Sequence, residues 1–462
     1  MNVERTSITV CARPLWPLRL GSVQRQRGEA SMTTSTALLD KILSDENLDR
    51  ACKQVVRNNG SEGVDGMKAK ELPEYIGKNK EEMIDKIRRR KYRPLPVKRV
   101  QIPKEDGSKR NLGVPAVKDR WIEQATCQIL SPIFEPTFSR RSYGFRPGRC
   151  AEQAILKAME YMDDGYDWIV DMDLSKFFDN VAQDILMILV HKVIKDPDVE
   201  SLVRRFLQGG VLVEGTFEET EKGTAQGSPI SPLLANIYLN EFDHELEARG
   251  LRFTRYADDC IICVRSEAAA NRVMGSVTKW LDKHLRVTVN VTKTKVARPN
   301  NIKYLGFSFY KTKGNKWHSR PHEKSVKKLE YKLVPLLKRN WGVSMGYRIQ
   351  KINQVIRGWV HYFRSGDMKM AMIGLDQWIR RCIRVIYWKT WKTIRNRANH
   401  LVALGVSKRW AWMWANSRKG CYVNGLELRR WITNDLLKKK GLLSLADRYR
   451  ECHGSMKLRL DL

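Results

Sequence analysis

The feature that most constrains this chain is a pair of adjacent aspartates, Asp258 and Asp259, set between two short runs of strand-forming residues. The runs 253–256 and 260–264 are rich in aromatic and β-branched side chains, which predicts a β-hairpin with both acids at its tip. Two carboxylates crowded beside an apolar sheet repel each other and take up protons unless a cation lies between them. The pattern therefore predicts a divalent-metal site, although in isolation these residues are more often a solvated turn.

Composition restricts the class of partner. The 462 residues carry a formal net charge of +33, and a hydrophobic content of 42% with 14 tryptophans indicates a folded protein. A folded protein this basic needs a polyanionic partner, and nucleic acid is the default choice. Because no run approaches the ~18 apolar residues of a membrane span, we expect no membrane partner.

The cysteines and the first residues bear on location. Nine irregularly spaced cysteines include one CxxC pair, Cys260 and Cys263, without a second pair to complete a zinc site, which indicates thiols in a reducing cytoplasm. Residues 1–31 carry scattered arginines without a periodic apolar face. We expect a flexible basic leader, with translation starting at Met1 or Met32, while an organellar transit peptide stays open as the alternative.

A third acid lies well upstream. Asp173 follows a run, 168–172, that reads as a buried strand, and functional groups of open sheets collect at strand ends. Between this acid and the hairpin, residues 222–236 form a Gly/Pro/Ser loop whose backbone can approach a ligand closely. Three such carboxylates can hold two Mg²⁺ ions about 3.5–4 Å apart, the arrangement that polymerases use for in-line nucleotidyl transfer.

An earlier hairpin and the C-terminal third are basic. Lys104 and Arg110 stand on opposite arms of a hairpin predicted after Val97, where they could grip a polyphosphate, although an ordinary solvated hairpin has the same pattern. Residues 311–462 hold 35 Lys and Arg against 9 Asp and Glu, which is +26 of the total charge, and ten of the tryptophans. Helices with indoles inward and guanidinium groups outward fit a packed bundle lying against phosphate backbones.

Seven motifs occur in the order found in reverse transcriptases. They are Ile102-Pro103-Lys104 with Arg110, Tyr143-Gly144-Phe145-Arg146-Pro147, Asp173 to Asp179, Gln226-Gly227-Ser228-Pro229, Tyr256-Ala257-Asp258-Asp259, Tyr304-Leu305-Gly306-Phe307 and Gly358-Trp359-Val360-His361-Tyr362-Phe363. Each motif alone is weak, but the ordered set is specific. The last resembles the thumb, or maturase, segment of proteins encoded by bacterial group II introns, and the chain looks most like the compact type that lacks an endonuclease domain.

The resemblance implies an α+β fold, a right-hand polymerase with fingers, an antiparallel-sheet palm and an α-helical thumb. The corresponding domains are the leader at 1–31, an N-terminal extension with fingers at 32–165, a palm at 166–312 with a fingers excursion around 185–222, a thumb or maturase domain at 313–415, and a basic segment, a candidate for DNA binding, at 416–462. Sequence alone leaves monomer and dimer open.

The resemblance also assigns site residues. Asp173, Asp258 and Asp259 would be the catalytic acids, and together with Leu174 they would bind two Mg²⁺ ions, with Mn²⁺ as a substitute. The residues implied in nucleotide binding are Lys104, Arg110, Phe178 (an aromatic gate beneath the sugar), Gln226 and Lys293. Those implied in nucleic-acid binding are Arg146, Arg357, Trp359, Arg380 and Arg381. One departure from the family pattern is Ala225, which stands where proline usually precedes the glutamine.

The function implied is an RNA-dependent DNA polymerase that copies and binds a group II intron RNA and assists its splicing and mobility. Its partners would be that RNA, an RNA template with a DNA primer, dNTPs and target DNA. Two alternatives remain at this point. One is a maturase that only assists splicing, which the intact acids count against. The other is a reverse transcriptase of a retron, defence or diversity-generating lineage, which the tryptophan-rich thumb counts against.

Overall fold

The computed structural model describes residues 36–103, 107, 109–213 and 215–460, and the chain divides into two compact units. Unit 1 combines the chain up to residue 158 with residues 168–296, and unit 2 combines residues 159–167 with the chain from 297 onward. The predicted leader at 1–31, the alternative start sites Met1 and Met32, and Lys104 lie outside the described residues.

Helices form most of unit 1. Their bounds are α1 (Thr36–Ile42), α2 (Asp45–Asn58), α3 (Leu72–Arg88), α4 (Val117–Phe134), α5 (Ala151–Asp163, which continues into unit 2), α6 (Phe177–Asn180), α7 (Gln183–Ile194), α8 (Pro197–Leu207), α9 (Ser231–Ala248) and α10 (Glu267–Leu285). The helix α9 is buried along most of its length, and its apolar side chains form much of the core of this unit.

The strands of unit 1 form two four-stranded sheets. Their bounds are β1 (Val97–Pro103), β2 (Lys109–Val114), β3 (Trp168–Met172), β4 (Val211–Val213), β5 (Thr216–Glu218), β6 (Arg252–Tyr256), β7 (Asp259–Val264) and β8 (Lys295–Ala297, which reaches the first residue of unit 2). One sheet has the order β2-β1-β4-β5 and the other β6-β7-β3-β8. Both predicted hairpins are confirmed, because β1 pairs antiparallel with β2 and β6 pairs antiparallel with β7.

The centre of the second sheet is apolar on both faces. Ile169 and Val170 in β3 and Ile261 and Ile262 in β7 are fully buried. Such continuous apolar runs are typical of strands that are covered on both sides. The acids of the sequence motif, Asp173 and Asp259, lie where this buried stretch stops.

Unit 2 is mainly helical. Its elements are β9 (Phe307–Lys311), β10 (Trp317–Pro321), α11 (Glu323–Leu333), α12 (Met345–Phe363), α13 (Lys369–Thr390), α14 (Ile394–Ala403), α15 (Lys408–Ala415), α16 (Cys421–Glu427), α17 (Asn434–Lys439) and α18 (Leu445–Leu460). Asp376 of α13 accepts hydrogen bonds from the Leu445 and Ala446 amides and from the Ser444 hydroxyl, which fixes the start of α18. In the part of the chain that the structure describes, no helix combines the length and apolarity needed to cross a bilayer.

The predicted α+β class, with an antiparallel central sheet and a helical C-terminal region, is confirmed. Most of the ranges expected as fingers and palm fall in unit 1, but residues 159–167 and 297–312 belong to unit 2. The expected palm end at 312 lies between β9 and β10, which pair with each other and belong to unit 2. In that unit Trp388 and Trp391 are buried as expected, whereas Trp410 and Trp412 are exposed.

Candidate active site

The pairing of β3 with β7 brings two of the predicted acids to the same edge of the sheet. Met172 and Cys260 are the last residues that pair. Asp173 follows Met172 and Asp259 precedes Cys260, so the two acids are the next residues in register. Paired Cα atoms in antiparallel strands lie about 4.5–5.5 Å apart. The backbones that carry Asp173 and Asp259 therefore leave the sheet side by side.

The third acid lies in the turn of the adjoining hairpin. Tyr256 pairs with Asp259, which leaves Ala257 and Asp258 as the two turn residues. Ala257 has a φ of 58°, in the left-handed region that two-residue hairpin turns require and that non-glycine residues rarely adopt. The turn thus places Asp258 at the same edge as the other two acids.

A buried arginine fixes this turn from below. Arg255 is 1% exposed, and its Nη1 donates to the Ala257 carbonyl at 2.9 Å and to Asn236 Oδ1 at 3.1 Å. Its Nε donates to Asp243 Oδ1 at 2.7 Å, and Nη2 contacts the other oxygen of the same carboxylate. A bidentate pair of this kind is strong and geometrically specific. The turn is held through one of its own carbonyls rather than through the acids.

The loop before β8 holds Asp173. The Asp173 carbonyl accepts a hydrogen bond from the Asn290 amide at 2.8 Å, and the Asp173 amide donates to Thr294 Oγ1 at 3.2 Å. Lys293 Nζ lies 3.9 Å from Asp173 Oδ2, and both side chains are partly exposed. Lys293, which the resemblance assigns to the nucleotide, is therefore placed beside a predicted metal-binding acid.

Burial raises the pKa of Asp258, a hydrogen bond to its own backbone amide and the Arg110 guanidinium lower it, and the Asp173 carboxylate raises it again. Asp258 is therefore within electrostatic reach of both Asp173 and Arg110. Burial also raises the pKa of Asp171, on β3, to about 6, which the nearby Lys295 partly offsets.

The residues at this edge suit a hard divalent cation. Among the residues described, no three Asp, Glu, His or Cys side chains already form a metal-binding group. The donor chemistry is nevertheless appropriate, because carboxylate oxygens are the ligands that Mg²⁺ prefers. A dication would also offset both the burial of Asp258 and its repulsion from Asp173. The Leu174 side chain is buried, so this residue could contribute only its main-chain carbonyl.

Two predicted nucleotide-binding residues contact each other. Arg110, on β2, donates from Nε to Gln226 Oε1 at 3.0 Å. The Gly113 amide of the same strand donates to the Gln226 carbonyl at 2.9 Å. Gly227 has a φ of 135°, and a Cβ there would lie 2.3 Å from the Gly113 carbonyl oxygen, so only glycine fits. The hairpin and the Gln226 loop are joined through their backbones.

Phe178 lies on a pocket shared with Gln226. It follows Lys176, whose φ of 43° turns the chain sharply from strand to helix. The ring of Phe178 packs edge-on against Phe177 with centroids 5.4 Å apart, and the Phe178 carbonyl accepts a hydrogen bond from the Thr224 amide at 2.7 Å. The pocket lining includes Asn111, Gly113, Phe178, Thr224, Ala225 and Gln226.

A buried acid that the sequence did not single out supports the Gln226 loop. Ser228 Oγ donates to Glu123 Oε2 of α4 at 2.8 Å, and both residues are buried. Burial raises the pKa of Glu123 to about 8, partly offset by the Ser228 hydrogen bond. The Ala225 carbonyl accepts from the Ser228 amide and from Ser231 Oγ. These bonds hold the loop although Ala225 replaces the usual proline.

One helical turn earlier on α4, a second buried acid supports the approach to β1. Asp119 accepts a hydrogen bond from the Tyr92 hydroxyl at 2.6 Å and another from the Leu95 amide at 2.9 Å. Burial raises the pKa of Asp119 to about 6, and the two hydrogen bonds act in the opposite direction. Consecutive turns of α4 therefore anchor both the β1 approach and the Gln226 loop.

Arg146 was predicted to contact nucleic acid, and the structure gives it a different role. It is 5% exposed, and its guanidinium donates to Glu135 Oε1 at 2.8 Å and to the carbonyls of Ser139 and Ser142. It also lies over the Phe138 ring at 5.3 Å. Because the guanidinium is enclosed by these partners, it has no surface for a phosphate, and it holds the local chain together instead.

The predicted nucleic-acid contacts of unit 2 fall into two groups. Arg357 and Arg381 are exposed. Arg380 is partly buried and lies 3.5 Å from Asp376 Oδ2. Trp359 packs against Phe363 at 4.5 Å between ring centroids and donates from Nε1 to the Ser325 carbonyl. The two exposed arginines are free to reach a phosphate backbone, whereas Trp359 serves the core of the unit.

Sequence reasoning missed the residues that support the site from within. Arg255 lies only three residues before Asp258, but a charged residue in a strand reads as exposed unless its buried partner Asp243 is known. Glu123 and Asp119 are four residues apart on one face of a helix that also carries Trp121, Ile122 and Ala125, and that spacing was the available signal.

Comparison with known proteins covers most of the described chain. Residues 102–309 match the model of the family described as reverse transcriptase (RNA-dependent DNA polymerase). Residues 326–405 match the group II intron, maturase-specific domain. The first range contains all three predicted catalytic acids, and the second contains the segment that resembles a thumb.

Several known proteins are similar to parts of this chain. Protein YkfC of Escherichia coli (strain K12) is 31% identical over 59% of this chain and 81% of its own length. The group II intron-encoded protein LtrA of Lactococcus lactis subsp. cremoris is 39% identical over 37% of this chain and 28% of its own length. Among solved structures, a partial Cas6-RT-Cas1–Cas2 complex is 25% identical with a TM-score of 0.35, over 53% of this chain and 42% of that one.

The two domain matches, the coverage of YkfC and the similarity to LtrA confirm the resemblance stated from the motifs. The maturase-specific match also favours this family over the retron, defence and diversity-generating lineages. The chain belongs to the family of group II intron-encoded reverse transcriptases, RNA-directed DNA polymerases that carry a maturase domain for binding intron RNA.

Proposed function

We propose that Asp173, Asp258 and Asp259 hold two Mg²⁺ ions, and that with them the chain extends a DNA primer on an RNA template. The observation that carries this proposal is the β3–β7 register, which brings Asp173 beside Asp259 at the edge that also bears the Asp258 turn. Three carboxylates at one strand edge are the ligand set for a two-metal nucleotidyl transfer.

The ions, when bound, would make the primer 3′-hydroxyl a better nucleophile and stabilise the charge that develops on the leaving pyrophosphate. The surrounding residues position the reactants. Arg110 offers a planar fork of donors to phosphate oxygens, and Gln226 orients that fork through its 3.0 Å hydrogen bond. Phe178 lines the same pocket as Gln226, where its ring would clash with a ribose 2′-hydroxyl and so favour deoxynucleotides.

Lys293 has a further role in this scheme. Its ammonium group lies 3.9 Å from Asp173 Oδ2, so it can partly neutralise that carboxylate and remain close to the leaving phosphates. An ammonium group in that position can deliver a proton to pyrophosphate as the bond to it breaks. Lys104 would complete the phosphate contacts by its place in the family motif.

Target DNA and the template–primer are further proposed partners. The exposed Arg357 and Arg381, in the strongly basic C-terminal third of the chain, suit phosphate contacts that are independent of sequence. A basic protein of this kind should lose affinity steeply as salt is raised, because each neutralised phosphate releases counterions.

Primer extension tests the proposal. The full chain is given an RNA template, a DNA primer, dNTPs and Mg²⁺, and is compared with Asp258→Asn and with Asp171→Asn. Asp258→Asn should lower the rate by roughly 10³-fold or more because a metal ligand is lost. Asp171→Asn changes a partly buried acid on β3 that is not a predicted metal ligand, and this variant should extend at close to the wild-type rate. If wild type extends no better than Asp258→Asn, the polymerase proposal fails and an RNA-binding maturase role remains.

A further inference from the structure

One exposed aromatic residue stands close to the proposed catalytic edge. Phe145 is 50% exposed, although its neighbours Gly144 and Arg146 are both buried. Its φ of 58° lies in the left-handed region, which a bulky residue adopts only at a cost. Single exposed apolar residues are common on protein surfaces. An exposed ring on a strained backbone is less common, and such strain clusters where ligands are contacted.

The segment that carries Phe145 is attached to the catalytic turn. The Tyr143 amide donates to the Arg255 carbonyl at 2.8 Å. A Cβ on Gly144 would lie 2.3 Å from the Ala257 amide nitrogen, so the two backbones touch. Asn236 Nδ2 donates to the Gly144 carbonyl at 2.9 Å, and the same side chain accepts from Arg255. Phe145 therefore follows directly after a residue in contact with the turn that bears Asp258.

The other side of Phe145 is equally fixed. The enclosed guanidinium of Arg146 ties this side of the segment to Glu135, Ser139 and Ser142. Arg149 lies over the Tyr143 ring at 5.4 Å. The Phe145 backbone is thus fixed from both directions while its ring stays half in solvent, which is the geometry of a preorganised contact.

We propose that the Phe145 ring stacks on a nucleobase of the template–primer next to the reacting end. This inference rests on the proposed function, because the proposed role of Asp258 is what brings the end of the template–primer to this edge. Every nucleobase presents a π face, so an aromatic ring can contact the duplex end without preferring a sequence. That property suits an enzyme that must copy any template.

Binding of template–primer to the full chain, without dNTP, tests the proposal. Replacing Phe145 by alanine should weaken binding about 5- to 100-fold, the range for loss of one base–aromatic stack. Phe145→Trp should bind as wild type does, and Phe145→Leu should resemble alanine. The slope of log Kd against log salt should be the same in all four proteins, since no phosphate contact changes. Equal affinity of wild type and Phe145→Ala would overturn the proposal.

A thermodynamic cycle identifies the stacked base. Abasic nucleotides replace the template and primer bases one at a time, and each substrate is titrated with wild type and with Phe145→Ala. At one position the abasic substitution should weaken binding to wild type but not to Phe145→Ala, because the two changes remove the same contact. If the losses of binding free energy from the abasic change and from Phe145→Ala are additive at every position, the ring does not stack on a base and the proposal fails.

Two controls separate the ring from the backbone and from folding. Phe145→Gly relaxes the left-handed backbone as well as removing the ring, so it should match alanine if the ring binds. Phe217→Ala removes a ring of similar exposure, 53%, from β5, and should bind as wild type does. If Phe145→Ala does not fold, the comparison of Phe145→Leu with Phe145→Trp decides the same question.

Failure of this inference can be distinguished from failure of the proposed function. A wild-type chain that binds template–primer through Phe145 but does not extend it would refute the polymerase proposal alone. A wild-type chain that extends normally, with variants at position 145 that bind equally well, would refute this inference alone.

Discussion

The Asp258 turn (residues 257–258) and the Gln226 loop lie in the same unit, and each is held by a different kind of buried group. Arg255 and Asp243, 1% and 0% exposed, form an ion pair beneath the turn. Glu123 and Ser228, also buried, form a single hydrogen bond beneath the loop. The turn is supported by two opposite charges, and the loop by a carboxyl group whose pKa burial raises to about 8.

This difference separates support by an ion pair from support by a single carboxyl group that titrates. Burial raises the pKa of Asp243, and the Arg255 guanidinium paired with it lowers that pKa. The Glu123 carboxyl keeps a proton at neutral pH and loses it in mildly alkaline solution. We therefore expect the geometry of the loop, rather than that of the turn, to change in mildly alkaline solution.

The largest effect should come from breaking the ion pair. Arg255→Leu leaves Asp243 buried without its cation, and loss of one partner of a buried pair costs about 3–5 kcal/mol of unfolding free energy. Primer extension should also fall to background, because the Ala257 carbonyl loses its donor. Urea unfolding and extension assays measure the two effects.

The double variant Arg255→Leu with Asp243→Leu sharpens this result. An apolar pair of similar volume is often as stable as the ion pair it replaces, so most of the lost stability should return. Extension should not return, because the hydrogen bond to the turn is still missing. A double variant as unstable as the single one would show that the uncompensated charge is not the cause.

The next effect is a pH dependence that Glu123→Gln should remove. The folded-state pKa of Glu123, about 8, is above its ordinary value of 4.5, so the folded chain holds a proton that the unfolded chain releases. The stabilisation from this proton is complete below about pH 4.5 and is lost as pH rises toward 8. Glutamine does not titrate, so the variant should gain stability relative to wild type across that window.

Unfolding free energies at several pH values measure this gain. It should total several kcal/mol at most, since one pKa unit corresponds to ~1.4 kcal/mol. Asp119, with a pKa of about 6, titrates in both proteins, and because its carboxylate also raises the pKa of Glu123, its contribution does not cancel completely from the difference. If the plots of unfolding free energy against pH are parallel for the two proteins, Glu123 is not a buried, protonated group.

The smallest effect should follow removal of the Ser228 hydroxyl. Ser228→Ala loses the hydrogen bond to Glu123 and a longer one from the Ile230 amide. Loss of the first, worth about 0.5–1.5 kcal/mol, should raise the KM for dNTP about 2- to 10-fold. The affinity for template–primer should not change. Thr126→Ala is the matched control, because that buried α4 hydroxyl bonds to the Ile122 carbonyl of its own helix. An equal rise in KM in both variants would mean that α4, rather than the loop contact, is responsible.

Local pattern was enough to predict part of this molecule. The hairpin around Asp258 and the hairpin around Arg110 were predicted because strand periodicity and turn residues act over a few positions. That Asp173 would join the Asp258 edge required the family motifs, since the pairing of β3 with β7 joins residues far apart in the chain. The resemblance assigned Lys293 to the nucleotide, and its position beside Asp173 was seen only in the structure.

Burial of charge was beyond local pattern. Arg146 and Arg357 look alike in sequence, yet one is enclosed by Glu135 and two carbonyls and the other is exposed. Glu123 reads as a solvated helix residue until Ser228, more than a hundred positions later, is placed above it. A charged residue reveals its role only when its partner is known, and the partner is set by the tertiary fold.

The contact between Gly227 and the Gly113 carbonyl has a consequence for motion. With no room for even a methyl group and with a backbone hydrogen bond next to it, the β2 strand and the Gln226 segment can travel only as one body. Any movement of the β1–β2 hairpin must therefore carry the Gln226 side of the pocket with it, so that under the proposed function closing on a nucleotide and selecting its sugar would be one coupled movement.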